Sequence, residues 1–100
     1  MPTAVLGSHR ASGRSITEQF RAFDAINPHV YRALDRMAAR RLAADATRIS
    51  LKDLFEDLRR QLPHGVVGLN NNYTALYARR LIHEHPDWAG AFELRRRRSA

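Results

Sequence analysis

One hundred residues, 44% of them hydrophobic and none of them cysteine, allow one domain with a small core and exclude a disulfide framework, a thiolate metal site and a thiol nucleophile. The formal charge is +7, but residues 1–14 carry two Arg and no acid, residues 95–100 four Arg and no acid, and residues 15–94 eleven Lys plus Arg against ten Asp plus Glu. Six of the seven charges therefore belong to the ends, and the segment between them has a mixed-charge surface rather than a uniformly basic one.

Residues 1–14 read as a flexible basic arm, because Gly7, Ser8, Ser12 and Gly13 interrupt them and no apolar period emerges. A basic segment followed by an apolar run is missing from this arm, and no stretch approaches the roughly 18 apolar residues of a membrane span. The expected setting is the cytoplasm, with no membrane partner. Residues 15–94 read as one helical domain and residues 95–100 as a basic tail.

Ser15-Ile-Thr-Glu18 is a capping-box pattern, followed by Ile16, Phe20 and Phe23 at helical spacing. Asn27-Pro28 ends this helix and starts the next, with Asn as the expected N-cap and Pro at the first helical position. From Pro28 to about Ala46, Val30, Leu34, Met37, Ala38 and Leu42 recur at three- and four-residue steps. Arg32, Asp35, Arg36, Arg40 and Arg41 fall largely on other faces, so this helix has a basic back.

Thr47-Arg48-Ile49 is too short for a helix and suits a brief extended crossing. Ser50-Leu-Lys-Asp53 opens a third helix whose apolar stripe is Leu51, Leu54, Phe55, Leu58 and Leu62, stopped by Pro63, His64 and Gly65. Val66 to Leu69 has the β-branched character of a short strand. Asn70-Asn71-Asn72 then form an N-cap region for a fourth helix, Tyr73 to His85, closed by Pro86. Asp87-Trp88-Ala89 opens one more short turn, with Trp88 and Phe92 as covering residues. The expected fold is all-α: a compact bundle of about four helices, helix-turn-helix or winged-helix-like, with room for one short strand pair.

Two helices in sequence, the second with a polar start, form the order found in helix-turn-helix and winged-helix DNA-binding domains, where the second helix enters the major groove N-terminus first. The connector exceeds the three- or four-residue turn of the minimal motif, which favours the variant with an extended connector. Asn71, Asn72, Thr74, Arg79 and Arg80 have side chains of the types that meet base edges and phosphates. The same residues have a plainer reading as caps and a solvated pair. Arg95, Arg96, Arg97 and Arg98 form a cluster that attracts any polyanion without sequence preference. The expected partner is double-stranded DNA.

Catalytic chemistry has no comparable constellation, and neither a cofactor motif nor a Gly-rich phosphate loop is present. His83-Glu84-His85 resembles a metal motif, but two histidines two residues apart on a helix point about 200° apart and do not share an ion. The chain is expected to bind rather than catalyse, without metal or cofactor.

The segments NPHVYRALDRMAARRL, RISLKDLFEDLRRQL and LNNNYTALYARRLIHEHPDWAGAFELRRRRS together resemble a group of small, uncharacterised proteins encoded by bacteriophages and prophages. The resemblance covers roughly residues 20 to 99. Its most specific part is LNNNYTALYARRLI followed by a Pro and an AGxFExRRxRS ending. It implies a phage or prophage origin in a bacterial host cell and carries over no activity or site residues. Small phage proteins are often DNA-binding regulators or host-directed binders. The alternative function is therefore a protein-interaction module, a homodimer or an inhibitor of a host enzyme, anchored by Tyr31, Tyr77, Trp88 and Phe92.

Overall fold

The computed structural model describes residues 14–62 and 64–92. Ser15 starts α1 (Ile16–Ile26) through a complete capping box: its hydroxyl accepts from the Glu18 amide, and the Glu18 carboxylate accepts from the Ser15 amide, both at 3.1 Å. Asn27 then separates α1 from α2 (Pro28–Ala43). Against the expectation from the sequence, its side chain makes no capping hydrogen bond to α2. Instead Asn27 Nδ2 and the Asn27 backbone N–H both donate to the Phe23 carbonyl, at 3.1 and 2.9 Å. Asn27 thus satisfies the end of the preceding helix, while Pro28 opens the next without an amide that needs a partner.

α2 ends at Ala43, three residues short of the expected Ala46, because the chain closes there in a Schellman motif. The Ala46 amide donates to the Arg41 carbonyl and the Asp45 amide to the Leu42 carbonyl, both at 3.0 Å. Asp45 occupies the left-handed position at φ +70°, where glycine is the usual residue. Ser50 then caps α3 (Leu51–Gln61), its hydroxyl accepting from the Asp53 amide at 3.3 Å.

Between α3 and α4 (Thr74–Glu84) the chain turns rather than forming the strand expected at Val66 to Leu69. The Leu69 amide donates to the Val66 carbonyl at 3.2 Å, and Gly68 holds φ +86° at the third position of that turn. A 3-10 turn, Asn71–Tyr73, leads into α4, and a second, Pro86–Trp88, follows it. Among the described residues there is no strand. The strand pair that the sequence allowed is reduced to one parallel bridge between Ile49 and Phe92, with the Ile49 amide donating to the Ala91 carbonyl at 2.8 Å.

The result is an all-α bundle of four helices. Tyr77, fully buried on α4, is the hub of its core. Phe20 of α1 meets its ring edge-on at 4.7 Å, Phe55 of α3 at 5.9 Å, and Tyr31 of α2 stacks at 6.3 Å. One aromatic side chain thus touches all three other helices. Such ring pairs add about 0.5–1.5 kcal/mol each beyond the area they bury. Leu34, Leu54 and Leu81 complete the sealed centre. No helix among the described residues is long and apolar enough to cross a membrane.

Candidate nucleic-acid interface

The stretch from Asn70 to His85 is fixed to the bundle along one side. Tyr73, Tyr77, Ala78 and Leu81 are buried, whereas Asn71, Asn72, Ala75, Arg79 and His83 are exposed. At about 100° per residue, Ala75, Arg79 and His83 form one outward stripe, with Asn72 at its N-terminal end. No acidic side chain belongs to this stripe.

The three asparagines have separate roles. Asn70 is the cap, its Oδ1 accepting from the Asn72 amide at 2.8 Å. Asn71 Oδ1 accepts from Arg59 Nη2 at 2.9 Å, and the same guanidinium reaches the Leu69 carbonyl at 3.4 Å. Asn72 is exposed, and only its backbone amide is engaged. Thr74 is half-buried and its hydroxyl donates to the Asn71 carbonyl at 3.0 Å, which closes the turn rather than facing outward.

Arg79 and Arg80 diverge completely. Arg79 is exposed and its guanidinium makes no hydrogen bond or ion pair among the described residues. Arg80 instead spans the groove between three helices. Its Nη1 donates to Asp24 Oδ2 of α1 at 2.7 Å, its Nε lies 3.8 Å from Glu84 Oε2, and its guanidinium sits 3.8 Å from the centroid of the Tyr31 ring. Tyr31 also donates its hydroxyl to Glu84 Oε1 at 2.7 Å. Arg80 is therefore committed to the fold. Arg95, Arg96, Arg97 and Arg98, and most of the N-terminal arm, lie outside the described residues.

The same network shifts two phenols. Burial, reinforced by the hydrogen bond to Glu84 and the nearby carboxylates, pushes the Tyr31 hydroxyl well above its ordinary range. Burial followed by the charge of Asp24 does the same to Tyr77. Tyr77 OH and Asp24 Oδ1 are both buried without a hydrogen-bond partner among the described residues.

The sequence missed Arg59. It sits in the last turn of α3, and its position after the Leu51–Leu54–Phe55–Leu58 stripe aims it at the connector, where it lies 5.7 Å over the Phe55 ring and holds Asn71. The aromatic anchors of the alternative, protein-binding reading are corrected. Tyr31, Tyr77 and Phe92 are buried and Trp88 is half-buried, stacked on His85 at 3.7 Å. The rings of Tyr31, Tyr77 and Phe92 build the core, and Trp88 keeps only part of its surface exposed. His83 is exposed, whereas His85 faces Asp35 of α2, Nε2 to Oδ1 3.1 Å, so the two histidines occupy different surroundings.

Comparison with protein-family models, with curated proteins and with solved structures found no match for the chain.

Proposed function

We propose that the protein binds duplex DNA, laying the outward face of α4 along a groove. The observation that carries this reading is the stripe itself: Asn72, Ala75, Arg79 and His83 are exposed, free of acids and turned away from the core. Ala75 lets the helix backbone approach closely. Asn72 offers a bidentate amide for adenine, and Arg79 a planar fork for guanine or phosphate. The Arg59–Asn71 pair flanks the helix start, where the dipole also favours an anion.

Thr74 and Arg80 take no part in this contact, since the fold uses both. The arginine cluster at residues 95–98 supplies charge that holds any polyanion, with affinity that falls steeply as salt rises. The resemblance to phage and prophage proteins fits a small regulator acting in the cytoplasm of a bacterial host, with double-stranded DNA as its partner.

Fluorescence anisotropy of a labelled random duplex, at two salt concentrations, tests the reading. The wild type should bind with strong salt dependence, and an Asn72→Ala, Arg79→Ala variant should bind about tenfold more weakly. Absence of binding at low salt would refute it.

A further inference from the structure

α2 presents a second surface of a different kind. Arg32, Arg36 and Arg40 are exposed and spaced by four residues, which places them on one ridge opposite the buried Leu34. None of the three makes a hydrogen bond or ion pair among the described residues. Between and beside them stand exposed His29, Ala39 and Ala43, which add no acid and little bulk. The one acid of α2, Asp35, lies on the flank and faces His85. The neighbouring Arg41 shows the contrast: it turns towards α3 and pairs with Asp57, which also pairs with Arg60.

Three guanidinium groups therefore stand in a row without an ion-pair partner among the described residues. Their helix positions extend over about 12 Å, at 1.5 Å per residue. Successive arginines stand about 6 Å apart along the ridge, a step of the same order as that between neighbouring phosphates along one winding strand, so the row can meet three of them, one per guanidinium. Arginine rather than lysine suits the purpose, because its planar fork matches phosphate oxygens. The ridge has no amide side chain, and its evenly spaced guanidinium groups suit contact with the phosphate backbone.

We infer that the Arg32–Arg36–Arg40 ridge of α2 is a phosphate-binding surface that lies along one strand of a nucleic-acid duplex. This rests on the reading that duplex DNA is the partner, but not on α4 being the element that contacts it. The ridge supplies register-independent affinity, and α4 supplies the base contacts.

The test compares three full-length proteins by duplex-DNA anisotropy across a salt series: the wild type, the ridge variant Arg32→Gln, Arg36→Gln, Arg40→Gln, and a control with the same charge change, Arg14→Gln, Arg21→Gln, Lys52→Gln. All six positions are exposed, and circular dichroism melts verify that each variant is folded. The ridge variant should lower the slope of log Kobs against log salt by about 2.7, that is about 0.9 for each phosphate released. The control should lower it by less than half as much. Equal slopes for ridge variant and wild type, or equal losses in ridge variant and control, overturn the proposal. So does capture of phosphatidylglycerol vesicles through the ridge in the absence of duplex binding. If the ridge variant loses its slope while Asn72→Ala, Arg79→Ala binds as the wild type does, the ridge stands and the role of α4 falls. If no protein binds duplex DNA, both fall together.

Discussion

Replacing Arg80 by Ala should damage the fold far more than the same change at the adjacent Arg79. Arg80 makes a charge-assisted hydrogen bond to Asp24 at 2.7 Å and stacks on Tyr31 at 3.8 Å. A hydrogen bond between charged groups contributes about 1.5–3 kcal/mol, and a cation over an aromatic ring about 1 kcal/mol. The two side chains are 35% and 25% exposed, so solvent screens part of that sum. Against this, removal leaves Asp24 with one oxygen already unpartnered and the other newly so. The net loss should be about 2–3 kcal/mol, which lowers the melting temperature of a domain this size by about 10–20 °C. Arg79→Ala should stay within about 0.5 kcal/mol of wild type. Urea denaturation at pH 7 measures both, and a cycle with Asp24→Asn should give a coupling of about 1 kcal/mol or more. Equal stability of the two alanine variants would falsify the division of labour between these neighbouring arginines.

Other expectations concern the caps, the core and the phenols. Ser15→Ala removes one half of the capping box and should cost about 1 kcal/mol by chemical denaturation. Asp45→Gly should stabilise by about 0.5–1 kcal/mol, since Asp45 holds φ +70° where glycine is unstrained; a lower urea midpoint would contradict this. Leu54→Ala, at a fully buried site, should cost about 2–5 kcal/mol, with a cost near zero arguing against the assigned core. Tyr31 and Tyr77 have raised folded-state pKa values relative to the ordinary 10.0. The folded state then holds these protons more tightly than the unfolded chain, so their contribution is complete below pH 10.0 and declines above it. Their tyrosinate absorbance, obtained as the difference from Tyr31→Phe and Tyr77→Phe variants, should rise only with unfolding. Ionisation in a folded protein near pH 10.0 would contradict it.

The helix starts were legible because their causes are local. Ser15 meets Glu18 three residues on, and Ser50 meets Asp53 at the same interval. The apolar stripes of α2 and α3 were legible for the same reason, since periodicity reports a helix's own faces. Which helix satisfies Asn27 was not legible, because cap and stop signals coincide at one residue. Nor was the difference between Arg79 and Arg80: the partner that withdraws Arg80 is Asp24, 56 residues earlier in the chain. The burial of Tyr31 and Phe92 depends likewise on remote partners, Tyr77 for one and Ile49 for the other. At Val66 to Leu69, β-branched composition yielded to Gly68, whose positive φ turns the chain.

The central claim is that the outward face of α4 meets nucleic acid, and backbone and side-chain amide NMR shifts measure it most directly. Titrating a short DNA duplex into the 15N-labelled protein at low salt should move the resonances of Asn72, including its side-chain amide, together with those of Ala75, Arg79 and His83. The buried Tyr77 and Leu81 on the opposite side should move least. Shifts confined to the arginine-rich ends, with the α4 face unmoved, would contradict the account.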